Sequence, residues 1–443
     1  MAKSEVLLAA IRKYEDEYRR VTPRSAALGQ KAQKLLPGGN TRNAMHYEPY
    51  PLYIDDAAGC RIRDVDGREY LDLSSCFSAT ILGHAHPKIV EVITRQVAKF
   101  TALSAPTESV NRWAELILER LPSMDKVRFA NSGNEAVMMA IRGAIAYTGK
   151  EKLVKMEGCY HGIYDFACSE RETAGIPKSR VDNSFYVPFN DKEAVAKVIR
   201  EHKHEIAAVI VEPVMGACGI VAPHDDYLPF LRTITAENGV LLIFDEVFSF
   251  RLDWGGMQRV VDVKPDLTTL GKVISSGFAC GAFGGREDIM RLFDPRADKI
   301  HHGGTLNANP LTAAAGVVSL SALTPGEIAR INRMGERMTA GVRKAFLDLG
   351  INCRINNKGS LMNIHFTNQE VVDARSAYTV NADLLHLYHM ACLVRGLFLP
   401  KRGFMCISVP MSDREVDTAV GVIGEVLREL KPIMENTTPH LLN

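Results

Sequence analysis

The chain has 443 residues, 46% apolar and 24% charged, which argues against disorder, collagen-like repeats and membrane spanning. Its length fits two closely joined domains, on a scale of about 100–200 residues each. With 53 Lys and Arg against 52 Asp and Glu, the net charge of +1 argues against nucleic acid as the main partner, since phosphate backbones are held by a large positive surplus.

Residues 1–20 carry Lys3, Glu5, Arg12, Lys13, Glu15, Asp16 and Glu17, so no signal-peptide stretch is expected. No apolar run approaches the roughly 18–20 residues of a membrane span. Nine scattered cysteines without a C-x-x-C pair read as buried thiols of a reduced, cytoplasmic chain. The pairs His301-His302 and His84/His86 suit no common metal site, so no metal is expected.

The first element is a helix with Ser4 as N-cap and Leu7, Ile11, Tyr14 and Tyr18 on one stripe. Residues 37–75 read as loop and short strands: Pro37-Gly38-Gly39-Asn40 marks a turn, and Asp64-Val65-Asp66-Gly67 ends in an Asp-Gly hairpin turn. From 76 to 325 helix and strand alternate. The apolar runs 207–211 and 240–244, with a helix near 226–237 between them, describe a parallel sheet covered on both faces. The region 326–443 mixes long helices, near 326–349 and 412–430, with short strands around 361–366 and 404–409. The division expected is therefore an N-terminal segment 1–75, a large domain 76–325 and a smaller α+β domain 326–443 that shares a sheet with residues 40–75.

Ligands sit beyond the carboxyl ends of buried parallel strands, and four such places carry polar groups. Ser132 and Glu135 form an S-x-x-E capping box. Strand, Gly133 and helix start there also make an anion cup of free N–H groups, with Asn134 in its first turn. Tyr160, between Gly158 and Gly162, is either a packing aromatic or one that stacks on a flat ring. The run 240–244 ends in Asp245-Glu246, where a buried carboxylate needs a cap, a cation or a protonated ring nitrogen. Lys272 follows Leu267-Thr268-Thr269-Leu270-Gly271, and desolvation there favours a neutral, nucleophilic amine.

Phosphate cup, stacking aromatic, carboxylate and amine together are what pyridoxal phosphate requires. On these residues, and on Gly83-His84, Tyr160-His161-Gly162, Glu212-Pro213, Gly271-Lys272, Gly284-Gly285-Arg286 and Gly304-Thr305, the chain resembles the class III aminotransferases of fold type I over residues 37–430. Within them it is most similar to the branch of glutamate-1-semialdehyde aminomutase and β-phenylalanine aminotransferase. The resemblance implies a mostly parallel α/β sheet sandwiched by helices and a homodimer with sites at the subunit interface. Lys272 would bind pyridoxal 5′-phosphate covalently and shuttle the proton, and Asp245 would pair with its ring nitrogen. Tyr160 and Val247 would cover the two ring faces, with His161 and Glu212 nearby. Ser132, Gly133 and Asn134 would hold the phosphate together with Thr305 of the second subunit. Asn134 departs from the family's usual Thr.

Arg42 lies in a segment similar to one that binds a β-amino acid carboxylate, and Arg402 in one that binds a 2-oxo acid carboxylate. Met215 would face an apolar substrate side chain, and Arg251 is a further carboxylate candidate. The function implied is transfer of an amino group from a β-amino acid with an apolar or aromatic side chain to a 2-oxo acid. An aminomutase, an α-amino acid transaminase or a racemase are the alternatives. A non-catalytic regulator on the same fold would need a DNA-binding segment, and none is visible before 37 or after 430.

Overall fold

The computed structural model describes residues 5–443, so the expected Ser4 cap lies outside the described residues. The first helix, Glu5–Val21, buries Leu7, Ile11, Tyr14 and Tyr18 as the spacing predicts. It packs on the helix Ala382–Val394 of the same chain. Strands β1 (Ile54–Ala58), β2 (Arg61–Asp64) and β3 (Glu69–Asp72) follow as an antiparallel meander. Asp64 pins the turn between β2 and β3. Its Oδ1 accepts the amides of Asp66 and Arg68, at 3.0 and 2.8 Å, and its Oδ2 accepts the Tyr70 hydroxyl at 2.7 Å.

The central sheet has seven strands: β4 (Lys126–Ala130), β5 (Lys152–Met156), β6 (Ser184–Val187), β7 (Ile206–Val211), β8 (Leu241–Asp245), β9 (Leu267–Gly271) and β10 (Gly281–Gly285). Their order is β4-β10-β9-β8-β7-β5-β6, and only β10 runs against its neighbours. Every residue of β7 and β8 is buried, which is why these strands read as unbroken apolar runs rather than as alternation. The helix Gly133–Thr148 leaves β4 and stops at Gly149, whose φ of 70° is the left-handed C-cap that glycine adopts without strain.

The remainder carries β11 (Arg354–Lys358), β12 (Leu361–His365), β13 (Leu397–Phe398) and β14 (Phe404–Cys406). Strands β11, β12 and β14 form one antiparallel sheet, while β13 pairs in parallel with β3, so the two ends of the chain share a sheet. The helices Pro325–Leu349 and Asp413–Thr437 pack together. The second outruns its expected end at 430 and contains Pro432, because buried Leu430 and Met434 continue its apolar stripe. No single helix among the described residues is long and apolar enough to cross a membrane.

Candidate active site

Register brings the strand ends to one edge. Ala130 of β4 lies opposite Gly281 of β10, and Gly281 opposite Gly271 of β9; on the other side Asp245 pairs with Thr269. Lys272 therefore leaves the sheet one residue beyond the row at which β4 gives way to its helix. A Cβ on Gly133 would lie 3.1 Å from Val247, and one on Gly271 3.3 Å from it. Val247 is thus wedged between the helix start and the residue before the lysine. Lys272 has a φ of 48°, a left-handed conformation that costs a non-glycine residue roughly 1–3 kcal/mol and is kept where its surroundings over-determine it. Its Nζ sits 5.1 Å from the centre of the Phe248 ring. Burial pushes the Lys272 amine below the ordinary lysine value; Asp245 and Glu212 oppose that shift and Arg402 adds to it.

Asp245 is buried with every approach defined. Its Oδ2 is 2.8 Å from His161 Nδ1, and its Oδ1 accepts the Thr269 hydroxyl at 3.0 Å and the Val247 amide at 3.1 Å. His161 is buried with its Nε2 unpartnered among the described residues. Burial opposes a charged imidazole, but Cys159 and the hydrogen bond to Asp245 outweigh it and push His161 up to about 10. Tyr160, next to it, is half exposed, and burial raises its phenol while Arg402 and Arg42 draw it down.

At the helix start, the Ser132 hydroxyl accepts the Glu135 amide at 3.1 Å. The Glu135 carboxylate takes the Asn131 amide, at 2.8 Å, rather than that of Ser132, so only half of the expected capping box forms. The amides of Gly133 and Asn134 have no partner among the described residues. Asn134 Oδ1 accepts the amides of Ile163 and Tyr164, at 2.7 and 3.2 Å, which ties the Tyr160 loop to the cup. Thr305 is exposed on a loop anchored by Asn307, whose Oδ1 accepts from Asn131 Nδ2 at 2.8 Å.

Glu212 accepts the Tyr160 and Gly216 amides, at 2.9 and 3.0 Å, one at each oxygen, so it also braces two loops. Several expectations need correction. Met215 does not face the cleft: it is fully buried in a core cluster with Met156, Val211 and Val221. Arg251 is no carboxylate receptor, because it is buried with its donors bound to Ser360, Ser78 and Ile407. The thiols are not all buried, since Cys76 is exposed and lies 3.9 Å from Arg42 Nη1. Arg42 is exposed and also reaches Met45 Sδ at 3.1 Å. Arg402 lies over the Phe77 and Phe404 rings, and its buried Nε has no partner among the described residues.

Residues 43–404 match the model of the aminotransferase class-III family. The glutamate-1-semialdehyde 2,1-aminomutase of Methanothermobacter thermautotrophicus is 38% identical over 92% of this chain and 100% of its own length. The chain belongs to the class-III aminotransferases. Among solved structures, an omega-transaminase from Sphaerobacter thermophilus is 40% identical with a TM-score of 0.87, covering 91% of this chain and 97% of its own. A β-phenylalanine aminotransferase from Variovorax paradoxus is 32% identical with a TM-score of 0.92, covering 96% and 99%.

This class-III aminotransferase is a pyridoxal-phosphate-dependent enzyme of fold type I, and its residues fit that cofactor. The unpartnered Gly133 and Asn134 amides could take a phosphate, the buried Asp245 a protonated ring nitrogen, and Lys272 an aldehyde carbon. Sequence reasoning missed the aromatic surroundings of Lys272 and Arg402, made by Phe77, Phe248 and Phe404. Phe248, which follows Asp245-Glu246-Val247 directly, could have been found from that motif.

Proposed function

We propose that the enzyme transfers an amino group from a β-amino acid with an apolar or aromatic side chain to a 2-oxo acid. The observation that carries this reading is Arg402, whose buried Nε has no partner among the described residues and which lies on an aromatic wall that continues to the Lys272 amine. Such a group receives a carboxylate, while the Phe248 ring beside the Lys272 amine offers an apolar face to the donor. The similarity to the Variovorax β-phenylalanine aminotransferase supports it.

When bound, pyridoxal phosphate supplies an electron sink that acidifies the proton on the amine-bearing carbon. Lys272 Nζ, whose pKa burial lowers, would take that proton as the base and return one from the same side to the carbon it had held. Asp245 holds a proton at the ring nitrogen, its carboxylate steadied by His161 and Thr269. Tyr160 and Val247 would cover the ring, Ser132, Gly133 and Asn134 would hold the phosphate, and Arg42 and Arg402 would bind substrate carboxylates. Ile163 and Leu306, 78% and 51% exposed beside the site, support a homodimer in which Thr305 completes the partner's phosphate site. The free cysteines are consistent with a reducing compartment, and the enzyme is proposed to act in the cytoplasm.

The second reading is an aminomutase acting on one substrate, favoured by the 38% identity to glutamate-1-semialdehyde aminomutase. Incubating holoenzyme with 3-amino-3-phenylpropionate, with and without 2-oxoglutarate or pyruvate, separates the two. Sustained turnover is expected only with acceptor present. Turnover of a single substrate indifferent to added 2-oxo acid would overturn the transaminase reading.

A further inference from the structure

In the segment that follows β3, Ser75, Cys76, Phe77 and Ser78 have φ values of 43°, 51°, 54° and 72°. This is a complete left-handed turn built without glycine, a conformation L-residues avoid as a run. It persists because its surroundings over-determine it. Asp72 Oδ1 accepts the amides of Ser74 and Ser75, at 2.8 and 2.9 Å, while its Oδ2 holds His84 Nε2 at 2.7 Å. The Ser74 hydroxyl accepts the Phe77 amide at 3.3 Å, and Arg251 Nη1 donates to the Ser78 carbonyl at 3.5 Å.

The strained turn delivers one side chain to the site. Phe77 stacks on Phe404 with ring centres 6.5 Å apart and 13° between planes. The Arg402 Cζ lies 5.2 Å from the Phe77 centre and 5.8 Å from that of Phe404. Phe404 in turn sits 5.5 Å from Phe248, whose ring carries the Lys272 amine. A guanidinium held by π-faces keeps its N–H donors free, whereas one held by a protein carboxylate has them consumed. Arg402 is of the first kind, its buried Nε having no partner among the described residues.

We propose that Phe77 is a positioning residue for Arg402: the left-handed turn fixes its ring against the guanidinium, leaving the N–H donors open to the distal carboxylate of a dicarboxylic 2-oxo acid. This rests on the reading of Arg402 as a carboxylate receptor. The experiment titrates holoenzyme with glutarate, an unreactive dicarboxylate, by calorimetry, and measures KM for 2-oxoglutarate and for the amino donor. Phe77→Leu is expected to weaken glutarate and raise the 2-oxoglutarate KM about tenfold, the scale of a desolvated cation–π contact. The kcat at saturating acceptor and the donor KM stay unchanged, and Phe77→Tyr restores affinity. Should Phe77→Leu not fold, Phe77→Met removes the π-face at similar volume and must show the same split. Unchanged glutarate affinity, or equal losses in kcat and donor KM, overturns the proposal. Arg402→Gln separates the two readings: if it leaves glutarate binding intact, the carboxylate-receptor reading falls as well; if it abolishes binding while Phe77→Leu does not, only the positioning role falls.

Discussion

Two titratable groups of the site, His161 and Lys272, respond to pH with opposite sign. His161 is raised to about 10 although burial works against its charge, through Cys159 and Asp245. Its unfolded value is about 6.5, so the charged imidazole contributes stability that is fully present below that value. The contribution is lost as pH rises through about 10. Lys272 is lowered, so its burial destabilises the protonated form and stability rises with pH across its shifted range. Comparing variants isolates the histidine. In cofactor-free protein, His161→Asn is expected to lower the melting temperature at pH 7 and to flatten its decline between pH 7 and 10. Parallel melting curves across that range would show that the imidazole carries no charge of its own in the fold.

Met215 belongs to the element scale, because its place is set by the bridge that pairs residue 215 with Val221 beyond β7. Met215→Ala is expected to cost about 2–5 kcal/mol by opening a cavity, read by denaturant unfolding, while the ratio of kcat/KM between aromatic and small donors stays constant. A changed ratio without lost stability would return Met215 to the substrate pocket. The misreading has a physical origin. An apolar residue after a strand end can turn to cleft or core, and nothing in its own chemistry distinguishes the two. Strands β7 and β8 were legible because burial on both faces leaves them apolar up to Asp245 at the end of β8. Strand β10 was not: Gly281, Gly284 and Gly285 have low strand propensity, and they occur there because a Cβ would strike the carbonyls of Ser132, Lys126 and Asp266 at 2.0, 2.3 and 2.2 Å. The left-handed turn was illegible for a similar reason, since Ser-Cys-Phe-Ser carries no mark of positive φ and contacts from distant segments impose it. Lys272 and Asp245 could be read because an ionisable group directly after a buried apolar strand is conspicuous wherever the fold places it.

At the scale of the whole molecule, the proposed homodimer rests on apolar side chains around the cleft mouth, Ile163 foremost at 78% exposure. Burying a charge at such a contact without a partner is costly. Ile163→Glu is therefore expected to shift the enzyme from dimer to monomer in sedimentation at micromolar concentration and to weaken cofactor retention at least about tenfold, since Thr305 could no longer reach the partner. A wild-type protein that sediments as a monomer under the same conditions would refute the shared site.

The pairing of β13 with β3, Leu397 against Leu71 and Phe398 against Asp72, imposes an order of events on synthesis. The β3 edge is made early and its neighbour is made near the end of the chain. At roughly 5–20 residues per second, that edge waits tens of seconds on the ribosome. An unpaired strand edge is a template for association with other chains. The nascent protein thus carries an aggregation hazard in the segment that holds Asp72, the anchor of the left-handed turn. Arg402 follows β13 in the chain, so the aromatic wall around its guanidinium cannot assemble before the strand that closes that edge has been made.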